Sequence, residues 1–296
     1  MDKKKNNITF GIPSYNSSLE ILNLTVQSII KSVDLLGIQQ LRILICLNGK
    51  PNRKIEKLYR NNPNIKVIYT PNFAKGKSRA INEIHLQTQT ELLIIIDDDV
   101  LIDSMSLSLL IEQIQSKNTY ITFPSRSLIN ETHLNPFNKL LWKIFNIQYC
   151  SNLYNGNDPF FTGMCFCVKT KFLPMLPNDL INDDQFLQIY FMNNSKLIRK
   201  AFVYYRGVHE IRDYINRFFR INYGRNQIKK YFRKEIYESY NIQHKRILDY
   251  GKILRLPIGN LICFLIYRIA YTTIRTIFNL LPKTNYSWER SSQIID

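Results

Sequence analysis

Three consecutive acids, Asp97, Asp98 and Asp99, come directly after the apolar run Leu92-Leu93-Ile94-Ile95-Ile96. A short β-branched segment of that kind reads as a buried strand of a parallel sheet. Its carboxyl end is where open α/β sheets place their ligands. Alternation along an extended chain sends Asp97 and Asp99 to one side and Asp98 to the other. Two carboxylates on one side repel each other unless a cation lies between them. A hard divalent ion such as Mn2+ or Mg2+, which can also hold a diphosphate, suits such a pair. One Asp alone could be a helix N-cap, a reading that three in a row fit poorly. A second acidic pair, Asp183-Asp184, heads the stretch from Leu180 to Asn193, where a helix start is the simpler alternative for Asp183.

Strands and helices alternate around the first cluster. Ile8 to Ile12 is strand-like and ends at the turn Pro13-Ser14-Tyr15-Asn16. Leu19 to Leu36 has apolar residues at helical spacing and closes at Gly37. Leu41 to Leu47 is a second strand, stopped by Asn48-Gly49-Lys50-Pro51. A helix near Lys54 to Arg60, a strand from Ile65 to Tyr69 and a helix from Lys77 through Ile84 lead to the Leu92 strand. This β-α-β-α-β-α-β series predicts an α/β fold: a doubly wound, mostly parallel sheet flanked by helices, with right-handed crossovers. The second half reads as a helix at Leu107 to Ile114, a strand at Thr119 to Phe123 and an amphipathic helix at Phe137 to Phe145. Strands at Phe160 to Val168 and Leu197 to Tyr205 come next, then one long basic, aromatic helix from Ile211 to about Tyr240.

The net charge of +17 is uneven: Arg199 to Arg255 holds fifteen Lys/Arg against five Asp/Glu. Such a patch suits phosphates, nucleic acid or an anionic membrane face. Five scattered cysteines and a lysine-rich start without a signal peptide imply a reducing cytosol. Cys165 and Cys167 lack a second ligand pair and read as packing residues rather than a zinc site. Leu256 to Tyr267 is an apolar run of twelve residues, short of the roughly 20 that span a bilayer, and Arg268 and Arg275 interrupt the apolar residues beyond it. Leu256 to Leu281 therefore reads as a helix lying in a membrane interface or, alternatively, as a helix pair packed on the domain.

Taken in order, these segments resemble the family-2 inverting glycosyltransferases of the GT-A fold, over about Ile8 to Lys230. Ile12-Pro13-Ser14-Tyr15-Asn16 is similar to the first-strand signature, whose turn lies against the nucleotide. Lys75-Gly76-Lys77-Ser78-Arg79-Ala80-Ile81-Asn82 is similar to the Gly-Lys-x-x-Ala-x-Asn segment beside the diphosphate. Asp97-Asp98-Asp99 resembles the D-x-D metal motif, with Asp97 and Asp98 toward the donor and Asp97 and Asp99 toward the ion. Phe161-Thr162-Gly163 resembles the acceptor-site strand, and Asn182 to Leu187 the Glu-Asp-x-x-Leu element whose second acid, here Asp184, is the catalytic base. His209, 25 residues after Asp184, lies near where many members supply a metal-binding histidine, and Tyr205 fits that spacing as well.

The chemistry is consistent with this resemblance. Inverting transfer needs charge to hold the leaving diphosphate, which Asp97, Asp99 and a cation with Lys77 or Arg79 can supply. It also needs one carboxylate to accept a hydroxyl proton. Two departures stand out. Leu47 occupies the place of an Asp that usually contacts the base, leaving Asn48 to substitute. Arg217-Phe218-Phe219-Arg220-Ile221 resembles Gln-x-x-Arg-Trp only in part, so Arg220 could hold the diphosphate while processive synthesis loses support. The resemblance implies a nucleotide-sugar donor and a glycan or lipid-linked acceptor, with Gly163 and Asp183 beside that acceptor. The expected organisation is a GT-A domain over 1–230, with a nucleotide-binding half at about 1–105 and an acceptor half at about 106–230. A helical, membrane-interfacial extension over 231–283 and a tail over 284–296 complete it. A cytoplasmic, peripheral location at an anionic membrane face fits this set. Nucleotidyltransfer on a similar sheet is the competing reading, although it has no need of Asp183-Asp184. Nucleic-acid binding has only the basic patch in its favour.

Overall fold

The computed structural model describes residues 7–129, 134–151, 153–155, 163–243 and 247–280. The chain opens with β1 (Ile8–Ser14), α1 (Leu19–Leu35), β2 (Leu41–Leu47), α2 (Arg53–Tyr59), β3 (Ile65–Tyr69), α3 (Lys77–Gln87) and β4 (Leu92–Ile96). It continues through β5 (Val100–Ile102), α4 (Ser104–Ile114), β6 (Ile121–Leu128), α5 (Pro136–Cys150), β7 (Tyr154–Asn155), β8 (Cys165–Lys169), α6 (Asp183–Tyr190) and β9 (Ser195–Tyr205). It closes with α7 (Ile211–Ile228), α8 (Lys234–Gln243), β10 (Ile247–Leu248), α9 (Tyr250–Leu254) and α10 (Ile258–Leu280).

Among the described residues, eight strands form one sheet in the order β3-β2-β1-β4-β8-β6-β9-β5. β1 pairs in parallel with β2 and β4, and β2 with β3, which is the predicted doubly wound half. The other half is antiparallel where β8 meets β4 and β6, and where β5 meets β9. All five residues of β4 are buried, as its unbroken apolar run requires. α1 starts at Ser18, whose hydroxyl accepts from the Ile21 amide, and buries Ile21, Leu22, Val26, Ile29 and Val33 on one stripe. Pro13 is tolerated inside β1 because the β1–β4 ladder ends at Gly11 and Ile95, before a proline nitrogen could break it.

Two compact units share the chain. One holds the described residues up to Ser127 together with 163–205, and the other holds those of 128–159 and 206–293. The second unit has its own core, in which Ile144, Phe145 and Ile147 of α5 pack with Ile253, Phe264 and Tyr267. Two expectations change there. The single helix from Ile211 to Tyr240 is broken into α7 and α8, with a tight turn over Lys229 to Arg233. Lys229, Lys230, Arg233 and Lys234 crowd that break, and like charges on adjacent turns disfavour a continuous helix. The segment after Pro257 is one 23-residue helix rather than a pair, long and apolar enough to cross a membrane by length and composition.

Candidate active site

The β4–β8 ladder sets the geometry at the carboxyl end of β4. Ile96 pairs with Cys165, and one step further the Asp97 amide donates to the Met164 carbonyl at 2.8 Å. Asp97 is thereby placed beside Gly163. The turn closes when the Val100 amide donates to the Asp97 carbonyl. α1 grips it from behind: Thr25 Oγ1 donates to the Asp98 carbonyl and Ser32 Oγ to the Ile102 carbonyl, while Ser28 Oγ accepts from the Ile102 amide. The Asp98 carboxylate is buried and accepts from Ser17 Oγ. Asp98 thus faces the helix, whereas Asp97 and Asp99 are partly exposed, as alternation requires.

Lys77, the first residue of α3, sits at the centre. Its Nζ lies 2.6 Å from Asp97 Oδ1 and 3.4 Å from Asp183 Oδ2, and donates to the Gly163 carbonyl at 2.6 Å. Asp183 and Asp184 occupy the first turn of α6, where carboxylates are favoured by the exposed amides, and Asp184 Oδ1 accepts from the Gln185 amide at 2.8 Å. Gly163 permits this approach. A Cβ there would stand 2.8 Å from the Asp184 Cβ and 3.6 Å from Asp183 Oδ2.

Two clips hold these pieces in register. Asn48 Oδ1 accepts from the amide of Gly76, whose φ of +133° favours glycine, while Asn48 Nδ2 donates to the Ser14 carbonyl. Asn48 therefore ties the ends of β1 and β2 to the approach to α3. On the other side of α3, Ser78 Oγ donates to the Leu180 carbonyl and Arg79 Nε to the Asn178 carbonyl. Asn82 makes a two-way pair with Leu176, donating to its carbonyl and accepting from its amide at 2.8 Å each. Segment 176–180 is thus stitched to α3 just before the acids of α6. Sequence reasoning assigned no such task to Ser78 or Asn82. Their spacing of four on a helix face that also buries Ala80, Ile81 and Ile84 was the available signal, since buried polar groups need partners.

The other predicted residues are more scattered. Pro13 is in β1, and the Tyr15 ring lies against Gly49 with Lys75 Nζ 5.6 Å from its centroid. Asn16 is exposed with φ of +53°. His209 and Arg220 belong to the second unit. His209 precedes α7, its Nδ1 is buried without a hydrogen bond and its Nε2 is 4.0 Å from Glu210, while Arg220 lies midway along α7. Phe161 and Thr162 lie outside the described residues.

The electrostatics are unbalanced. Burial pushes the Asp97 carboxyl up to about 7 against the pull of Lys77, with Asp99 adding to the rise. Burial alone would lower the Lys77 ammonium, but Asp183, Asp97 and Asp184 hold it above the ordinary lysine range. Asp183 Oδ2 is buried without a hydrogen bond. One ammonium among Asp97, Asp99, Asp183 and Asp184 leaves negative charge over, which suits a divalent cation. Among the described residues no group of three or more His, Cys, Asp and Glu forms a ready-made cage. The donor set present is a carboxylate pair, the kind that Mg2+ or Mn2+ completes with phosphate oxygens and water.

A sheet with β3-β2-β1-β4 parallel and its partner half antiparallel, carrying acids at the end of β4, defines a GT-A glycosyltransferase fold. The crystal structure of GalNAc-T7 with UDP, GalNAc and Mn2+ is similar to this chain at a TM-score of 0.53 and 13% identity, covering 80% of this chain and 55% of that one. The chain thus spans about half the length of that structure. No curated protein matches the chain. The family model for glycosyl transferase family 2 matches residues 9–174, more than half of the sequence, and the chain belongs to that family.

Proposed function

We propose that this protein is a metal-dependent, inverting glycosyltransferase. It moves a sugar from a nucleotide-sugar donor to a hydroxyl of a lipid-linked or polysaccharide-precursor acceptor at the cytoplasmic face of a membrane. The observation that carries this reading is the meeting of Lys77, Asp97, Gly163 and Asp183 at one strand end, with Asp184 against Gly163.

In this reading Asp97 and Asp99 hold Mn2+ or Mg2+, with His209 as the third ligand. The ion, once bound with the donor, supplies charge to the departing diphosphate. Lys77 adds its ammonium, with Arg79 and Arg220 reaching the same phosphates. Pro13, Tyr15, Asn16 and Asn48 border the nucleoside, with Asn48 acting through the β1–β2 clip. Asp98 fixes the acidic turn through Ser17. Asp184 accepts the proton of the attacking hydroxyl, and Gly163 and Asp183 line the acceptor side. The donor side falls within about 1–105, the acceptor side within about 106–230, and 231–283 serves the membrane.

Incubation of the full chain with Mn2+ and a panel of sugar nucleotides should release a nucleoside diphosphate from one of them. Asp184→Asn should lower turnover by roughly 10²–10⁴ with donor affinity retained. Normal turnover in Asp184→Asn with a dead Asp183→Asn exchanges the two roles. Normal turnover in both removes the mechanism.

A further inference from the structure

α10 is apolar on two faces, and only one of them is covered. Cys263, Phe264 and Tyr267 are buried in the core of the second unit against α5. The opposite stripe carries Ile258, Ile262, Leu265, Ile269, Ile277 and Leu280, each between 47% and 79% exposed. Their spacings of three, four and eight keep them on one side of the helix. A surface helix of a water-soluble unit normally turns polar residues outward, so this stripe calls for an apolar partner.

Charge selects that partner. α10 contains no Asp or Glu, and its two cations, Arg268 and Arg275, are seven apart and so share one flank of the stripe. From Arg206 to Arg255, within the same unit, thirteen Lys/Arg face only five Asp/Glu. Apolar side chains beside snorkelling arginines and a basic surround match an anionic lipid surface.

We infer that α10 docks flat in the interface of an anionic bilayer. The Ile258–Leu280 stripe enters the acyl boundary while Cys263, Phe264 and Tyr267 stay packed on α5. The helix, about 35 Å long, has the reach to span. Spanning would strip Phe264 and Tyr267 from the unit's own core, whereas the flat pose uses both faces as they stand. This deepens the membrane part of the function proposed above and rests on it.

The test uses the full chain with vesicles of phosphatidylcholine, alone or mixed with phosphatidylglycerol. Wild type should float with the mixed vesicles, weaken in high salt without full release, and bind phosphatidylcholine alone far less. Ile262→Glu/Ile269→Glu should lose about a hundredfold in vesicle affinity while keeping the wild-type thermal melt. A fluorophore on Ile258→Cys and another on Leu280→Cys should be quenched by shallow lipid labels to the same degree. Quenching of one end from the opposite leaflet would overturn the flat pose. Unchanged flotation of the double variant, or a dimer in light scattering that the double variant dissolves, would overturn the lipid assignment. Donor turnover is measured in the same samples. Vesicle binding without nucleoside diphosphate release spares the docking surface and removes the catalytic reading, whereas turnover without vesicle binding does the reverse.

Discussion

The carboxyl end of β4 and the outer face of α10 break the usual burial rule in opposite directions. At the first, carboxylates are drawn inside: Asp98 and Asp183 are buried, and Asp97 and Asp99 stand beside them around a single lysine. At the second, aliphatic side chains are left outside on a helix that already has a core-facing stripe. Neither arrangement stabilises a lone chain in water. Buried charge costs solvation, and exposed aliphatics gain nothing. Both become favourable only when something is added: a cation with an anionic ligand in one case, a lipid surface in the other. The contrast shows how each site can be located from local energetics that do not balance in isolation.

The sharpest way to break the comparison is to remove a carboxylate from the first region. Asp99→Ala should abolish metal-dependent donor binding, because it leaves Asp97 alone with Lys77. The fold should persist, since Asp99 is partly exposed beyond the strand end. Calorimetry that finds donor affinity with Mn2+ unchanged in this variant would remove Asp99 from the metal site. Gly163→Ala should come next. Its methyl would sit 2.8 Å from the Asp184 Cβ, so the base must shift, and a displacement approaching 1 Å can cost about 10² in turnover. A kcat close to wild type would show that α6 moves as a unit without consequence for the chemistry.

Asn82→Ala sharpens the same region from its supporting side. The change strands the amide and the carbonyl of Leu176, both bonded at 2.8 Å to the lost side chain, and Leu176 is itself buried. Unsatisfied buried groups of this kind cost about 1–3 kcal/mol each, so denaturant melts should show a loss of about 2–4 kcal/mol. Turnover should fall as well, because segment 176–180 leads into Asp183 and Asp184. Full stability in Asn82→Ala would mean that water or Asn178 replaces the clip.

Much of this was legible in the sequence where the signal is local. β3 and β4 have the limits expected from their apolar runs, and the acids of α6 meet Lys77 as motif order implies. The expected strand at Thr119 to Phe123 stopped at Pro124, yet β6 runs on to Leu128. β5 is three residues long and hides behind the acidic turn, so periodicity had nothing to register. The Asn82–Leu176 pair joins residues 94 apart, which no window along the chain can see. α10 looked shorter than it is because Arg268 and Arg275 interrupt the apolar run. Arginine is a good helix former, and both lie off the two apolar stripes, so the helix continues through them.

The smallest effect belongs to the second region and carries the comparison to its limit. Ile262 is 52% exposed on α10, opposite the residues that hold α5. Ile262→Ser removes a side chain that buries little within the protein, so its stability in lipid-free buffer should stay within about 0.5 kcal/mol of wild type. Serine lowers helix propensity only slightly, which sets the sign of any residual change. The same substitution should reduce flotation with anionic vesicles, because the lost area is area that lipid would cover. A melt several degrees lower without lipid would mean that Ile262 packs against protein in solution. The stripe would then be part of the unit's core, and the opposition between the two regions would disappear.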